Sequence, residues 1–180
     1  VEYIGTEVAP LQLGGNYINN EMMTYNSHKW EANRTLYWSE PACDFYGIYP
    51  YQTITSIDKQ LFDVATDQST TETNNTLAGY EASDLMWAKA TNVCKVTLPF
   101  HHLMSRLVVK LKKGAKFEDK LPTDIVTHVY NTATTAQVNW QKGTLEKYSM
   151  SETKTIKMRQ VDATTFDAII VPQFIERSTP

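Results

Sequence analysis

Hydrophobic and polar residues alternate with a period of two on both sides of a short interruption in the middle of the chain. Ahead of it, Cys94, Val96, Leu98 and Phe100 fall on one face, with Lys95 and Thr97 on the other; behind it, Leu107, Val109 and Leu111 alternate with Arg106, Val108 and Lys110. Successive side chains of a strand point to opposite faces, so each run predicts a strand with one buried side. Residues 101 to 105 break the alternation. They predict a bulge or a short helical turn near residues 101–105 that carries the chain from one strand to the next.

Similar short runs recur along the sequence. They predict strands at 22–25, 36–38, 43–49, 61–64, 85–89, 93–100 and 107–112, then at 125–130, 135–140, 155–159 and 165–171. Helical periodicity is hard to find. Turn-separated strands in this number predict an all-β fold, a two-sheet β-sandwich. The stretch Ala65 to Thr76 is rich in Thr, Asp and Asn, lacks an apolar face and predicts a mobile surface loop. Gly14-Gly15-Asn16, Lys113-Gly114 and Lys142-Gly143 read as tight turns. Residues 1 to 20 carry few packing side chains and read as an edge element or a poorly held terminus. With no repeat and no charged linker, residues 1–180 read as one domain, in which 114–123 is a connecting loop.

Composition narrows the function. At 180 residues and 42% hydrophobic, the chain is long enough for a substantial core. A formal charge of −3, with its densest basic patch at Lys110, Lys112 and Lys113, gives no basis for binding nucleic acid. No apolar run approaches the roughly 18 residues of a membrane span, and Val1 does not open a signal peptide. Cys43 and Cys94 both lie in apolar runs, where they read as buried thiols or as a bridged pair. They are not spaced as zinc ligands, and the adjacent His101 and His102 would point to opposite faces of a strand. Neither a Gly-x-Ser-x-Gly turn nor a phosphate-cradling glycine loop is present. Glu21, Glu31, Glu40, Asp44 and Asp84 include no suggestively placed pair of glycosidase carboxylates. The expectation is therefore a protein without catalytic residues, metal or cofactor, in which His102 is a hydrogen-bonded packing residue.

Aromatic residues crowd one quarter of the chain: Trp30, Tyr37, Trp38, Phe45, Tyr46, Tyr49 and Tyr51. Buried packing is one reading. The other is an exposed platform for sugar rings, for which Trp30, Tyr37 and Tyr46 are the candidates. The run 43–49 is apolar on both faces, which predicts a strand in the middle of a sheet covered on both sides, or one that meets another chain.

Four blocks carry a resemblance to a known family. They are Trp38 with Phe45-Tyr46-Gly47-Ile48-Tyr49-Pro50-Tyr51, then Asp84-Leu85-Met86-Trp87-Ala88-Lys89-Ala90, then Phe100, His102, Ser105, Arg106 and Leu107, and last Ile170-Val171-Pro172-Gln173. In order and spacing they resemble the fimbrillin family of Bacteroidales, the subunits and associated proteins of type V pili. The resemblance spans roughly residues 30 to 175, with residues 1–29 matched weakly. It implies a transthyretin-like β-sandwich corresponding to the family's N-terminal domain, with the C-terminal domain absent from this chain. It also implies export as a lipoprotein precursor, so that a lipid anchor would be the one link to a membrane, and display on the outer surface as part of a fimbrium. The implied partners are other pilus subunits, joined by donor-strand insertion, with host or bacterial surface glycans or proteins as adhesion targets. In that assembly an incoming strand satisfies the unpaired backbone groups of an open groove and covers its apolar core.

Overall fold

The computed structural model describes residues 10–16, 18–37, 43–74, 76–93, 96–116, 121–149 and 152–174. In chain order, the first elements are β1 (Met23–Asn26), β2 (Lys29–Ala32), β3 (Cys43–Tyr49), β4 (Gln60–Asp63), the one-turn helix α1 (Gly79–Ser83), β5 (Met86–Val93), β6 (His101–His102) and β7 (Ser105–Lys110). They are followed by β8 (His128–Ala133), β9 (Thr135–Asn139), β10 (Thr144–Tyr148), β11 (Thr153–Lys157), β12 (Arg159–Gln160) and β13 (Thr165–Ile170). Among the described residues the fold is all-β, with almost no helix. Its sheets are small: β1-β2, β10-β9-β4, β11-β8, β12-β13-β7 and β3-β5-β6. All the pairings between named strands are antiparallel.

One core joins every sheet except the β1–β2 hairpin. Phe62 from β4, Trp87 from β5, Val138 from β9, Ile156 from β11 and Phe166, Ala168 and Ile169 from β13 meet in a single buried cluster with Leu85, Met104, Trp140 and Val171. The alternation read around residue 109 holds. Leu107 and Val109 pack against this cluster while Arg106, Val108 and Lys110 stay exposed.

The interruption near 101–105 is a change of sheet. β6 pairs with β5, β7 pairs with β13, and a bend at Leu103 and Met104 separates them. The bend is not helical; the helix sits earlier, at α1. Two more strands change sheets in the same way. β8 and β9 flank Thr134, and across it the partner changes from β11 to β10 and β4. β11 and β12 flank Met158, where the chain leaves β8 and joins β13. Such corners let short strands wrap one core.

Two of these corners leave backbone groups that the ladder no longer reaches, and the amides of buried Gln68 and half-buried Gln173 take them up. β12 stands opposite only Phe166 and Asp167 of β13. Just beyond, Gln68 accepts from the Ile169 N–H at 2.8 Å and donates to the Ile169 carbonyl at 2.7 Å. Its side chain stands where a strand residue would. At the β8–β9 corner, Gln173 accepts from the Ala133 N–H at 2.9 Å and donates to Thr132 Oγ1 at 2.7 Å.

Several expectations need correction. The 65–76 stretch is anchored rather than mobile at its N-terminal end: Gln68 is fully buried, its N–H donates to the Lys157 carbonyl at 3.0 Å, and Lys157 N–H donates to Thr66. The strand expected at 93–100 is not present as such. β5 runs on to Val93, and residues 96–100 join no strand. Pro99 has no N–H to give a ladder, and Leu98 and Phe100 instead lie across Gly47, where an added Cβ would stand 2.6 Å from Phe100 Cζ. Leu36 and Tyr37 join no strand either, while Trp38 and Cys94 lie outside the described residues. Among the described strands β3 lies at the edge of its sheet rather than in the middle; its inner face packs Tyr46 and Ile48 on the core. The strand expected at 125–130 is shifted to β8, whose pairing with β11 is interrupted by a bulge beside Asn131 at φ 52°.

Replacing Gln68 with Ala should strip both partners from Ile169 in a dry site, and each unsatisfied backbone group costs about 1–3 kcal/mol. The expected loss in urea unfolding is about 2–4 kcal/mol with an unchanged slope. A loss within about 0.5 kcal/mol of wild type would show that the amide is dispensable.

Candidate functional site

Within the described residues, all four blocks picked out along the sequence send side chains to the core, Tyr46 and Ile48, Leu85 and Trp87, Leu107, and Ile170 and Val171. Asp84, just after α1, pairs with His102 of β6 at 2.7 Å through Oδ1 and Nδ1. His102 is therefore hydrogen-bonded as expected, but it is exposed and bonds a carboxylate rather than packing inside. Trp87 donates its indole N–H to the Trp140 carbonyl at 2.8 Å and lies over the β9–β10 turn. At Gly143 in that turn, φ is +67° and an added Cβ would stand 2.3 Å from the indole, so geometry and space both require glycine.

Arg106 belongs to the third block, and it reaches the most buried charge among the described residues. Asp167 on β13 is wholly inaccessible; Arg106 donates to its Oδ2 through Nη2 at 2.7 Å and Nε at 3.0 Å. Arg159 on β12 donates from Nε to Oδ1 at 3.0 Å and from Nη2 to Oδ2 at 3.1 Å, and from Nη1 to Glu81 at 2.9 Å. The Arg159 guanidinium also sits 3.4 Å from the centre of the Tyr80 ring. Burial alone would push the Asp167 carboxyl up, but the hydrogen bonds and charges of the two arginines prevail and hold it below the usual carboxylate range. The cluster ties β7, β12, β13 and α1 together. Its charges already satisfy one another, so it is a fastening rather than a reactive centre. Among the described residues, no group of three His, Cys, Asp or Glu is placed to hold a metal ion.

Two surface features remain. The first is the edge of β10, which among the described strands pairs with β9 alone. A groove of about 360 Å³ runs beside it, lined by Leu145, Tyr148, Ala136, Val171 and Pro172 with Glu146 and Lys147. The second is the aromatic set. Trp30, on β2, and Tyr37 are exposed at 59% and 76%. Tyr46 is half-buried against Trp87, its hydroxyl accepts from Gln141 Nε2 at 2.9 Å, and Lys89 lies 4.9 Å from its ring centre. Trp30 pairs with Tyr25 across the hairpin, ring centres 5.3 Å apart. Tyr25 was not among the residues singled out from sequence, because its partner appears only once the hairpin register is known.

The profile of the fimbrillin-like family matches residues 5–179. The chain belongs to the fimbrillin-like family. Two crystal structures of candidate cell adhesion proteins share the fold. One, from Bacteroides uniformis ATCC 8492, superposes with a TM-score of 0.64 at 22% identity, over 88% of this chain and 63% of that one. The other, from Bacteroides ovatus ATCC 8483, gives 0.60 at 15% identity, over 80% and 56%. This fimbrillin-like chain thus spans about three fifths of the length of these structural relatives. A search of curated proteins finds no match. No helix among the described residues is long and apolar enough to cross a membrane.

In this fimbrillin-like fold, the native pKa of Asp167 is depressed. Its contribution to stability is therefore complete above the unfolded value of about 3.9 and is lost as pH falls through the native value. Asp67 and Asp162 are also held low, chiefly by hydrogen bonds from Ser69 and Thr164. Asp167→Asn should consequently lower stability at pH 7 and flatten, without abolishing, the acid limb between about pH 5 and pH 3 in urea titrations. An acid limb identical to wild type would contradict the role given to this carboxylate.

Proposed function

We propose that this chain is a structural part of a cell-surface fibre, a pilus subunit or pilus-associated protein that joins its neighbours by β-strand addition. Membership of the fimbrillin-like family and the likeness to candidate adhesion proteins support a structural, surface-displayed role over a catalytic one. The observation that carries the assembly reading is the conjunction at β10. An edge that among the described strands pairs on one side only borders an apolar groove, and an incoming strand can extend the one and fill the other at once.

The chemistry of that edge fits a selective receptor. Main-chain hydrogen bonds to β10 would supply affinity, while Leu145, Val171 and Ala136 would take alternate apolar side chains of the donor. Glu146 and Lys147 place opposite charges on the rim and discourage indiscriminate pairing between edges. The fastening of β7, β12 and β13 keeps the acceptor body rigid while a strand is exchanged. Display at the outer surface, attachment through a precursor lipid anchor and an adhesive role belong to the same reading.

Limited trypsin treatment of the purified protein, followed by unboiled denaturing gels, tests it. The expected result is a ladder of detergent-resistant multimers that Leu145→Arg suppresses while the monomer, lowered in melting temperature because Leu145 packs on the core, still folds. Monomers alone after trimming, or a ladder indifferent to Leu145→Arg, would contradict assembly at this edge.

A further inference from the structure

Among the described residues, the β1–β2 hairpin presents an apolar face that lies outside the core. Its register pairs Met23 with Ala32 and Tyr25 with Trp30, so these four side chains share one face; Thr24, Asn26, Lys29 and Glu31 share the other. The pattern is that of a half-buried sheet. Yet Met23, Tyr25 and Trp30 are 42%, 56% and 59% exposed, and none of the hairpin residues joins the core.

The hairpin is nonetheless well defined locally. Ser27 and His28 at its tip have φ of 47° and 70°, the paired left-handed conformations of a tight hairpin turn whose twist matches the strands. Its base is held by Asn20 Nδ2 donating to the Gln52 carbonyl at 3.0 Å and by Arg34 Nε donating to Glu21 at 2.9 Å. The Tyr25 and Trp30 rings are inclined at 54°, and so form an angled apolar surface rather than a closed stack. At the base, the same face runs into an open cleft of about 630 Å³ lined by Met23, Ala32, Glu31, Asn33, Arg34 and Thr35.

We infer that this face is a saccharide-binding site, with Tyr25 and Trp30 stacking against the C–H face of a neutral sugar ring and Asn33, Arg34 and Thr35 meeting its hydroxyl groups. Three features select this occupant. Sugar rings are apolar on their faces and hydrogen-bonding at their edges, a match to the aromatic pair and to the adjoining cleft, where Asn33, Arg34 and Thr35 stand beside Met23, Ala32 and Leu36. The charges lining the cleft are already paired, Arg34 with Glu21 and Glu31 with Lys29 at 2.6 Å, so the site does not call for a charged ligand. Four apolar side chains are also far fewer than the roughly 20–30 residues per side that a stable protein interface needs, while the cleft is within the roughly 300–1,000 Å³ of small-molecule sites. The site revises the platform drawn from sequence: Trp30 acts with Tyr25, whereas Tyr46 is engaged elsewhere. It lies apart from the β10 edge and does not depend on strand addition.

The test is titration of the 180-residue chain with neutral oligosaccharides, chitotriose, xylotriose and lacto-N-tetraose, followed by indole chemical shifts and calorimetry. At least one should bind saturably with shifts at the Trp30 indole. Trp30→Ala and Tyr25→Ala should each weaken it about tenfold or more, Trp30→Phe should retain most of the affinity, and all three should melt as wild type does. No saturable binding to any probe up to about 10 mM would overturn the inference. Binding unaffected by both alanine substitutions would overturn it as well. So would concentration-dependent self-association abolished by Trp30→Ala, because a second copy would then be what covers this face.

Discussion

β13 is buried along almost its whole length, and the demand that each polar group on it find a partner organises the rest of the molecule. β7 supplies a full ladder on one side. On the other, β12 supplies two residues before the chain turns away, leaving Ile169 facing a gap. Gln68 fills the gap with an amide that presents a donor and an acceptor in the manner of a peptide group. Asp167, one turn of the pleat away, is satisfied by two arginines. Both solutions bring distant parts of the chain to β13, and the 65–68 segment and α1 are held in place as a consequence.

The same demand explains why a single core can be wrapped by such short sheets. A strand that bends around a corner loses its ladder there, and Gln173 meets the loss at the β8–β9 corner as Gln68 does beside β12. Small sheets also mean many edges. Gln68 and Gln173 close two of the gaps, while β10, which among the described strands pairs on one side alone, lies beside an apolar groove. Under the proposed function that rim would receive an incoming strand, and under the proposed saccharide site the hairpin, clear of the core, would meet its ligand without disturbing it.

The sequence made legible whatever rests on alternation. Leu107 and Val109 face inward, β3 and β9 lie where their aromatic and branched residues indicate, and the break after His102 marks a real change of partner. It hid whatever rests on single polar residues meeting across long separations. Gln68 lies in a stretch whose composition is that of a loop, and only its distance of 101 positions from Ile169, closed in space, reveals its task. β10 and β2 each have few apolar residues, so their pairing is set by neighbours rather than by pattern. Of the proposed platform, Trp30 stood out by type, but Tyr25 opposite it required the register, and the engagement of Tyr46 by Gln141 and Lys89 required the fold.

If a side-chain amide does stand in for a strand on β13, the Ile169 N–H must be as well protected as the ladder around it. Native-state amide hydrogen exchange measures this directly. The account predicts that Ile169 exchanges only on global unfolding, with the slowest amides of the β13–β7 ladder. Exchange at Ile169 through local opening, orders of magnitude faster than its neighbours in that ladder, would contradict it.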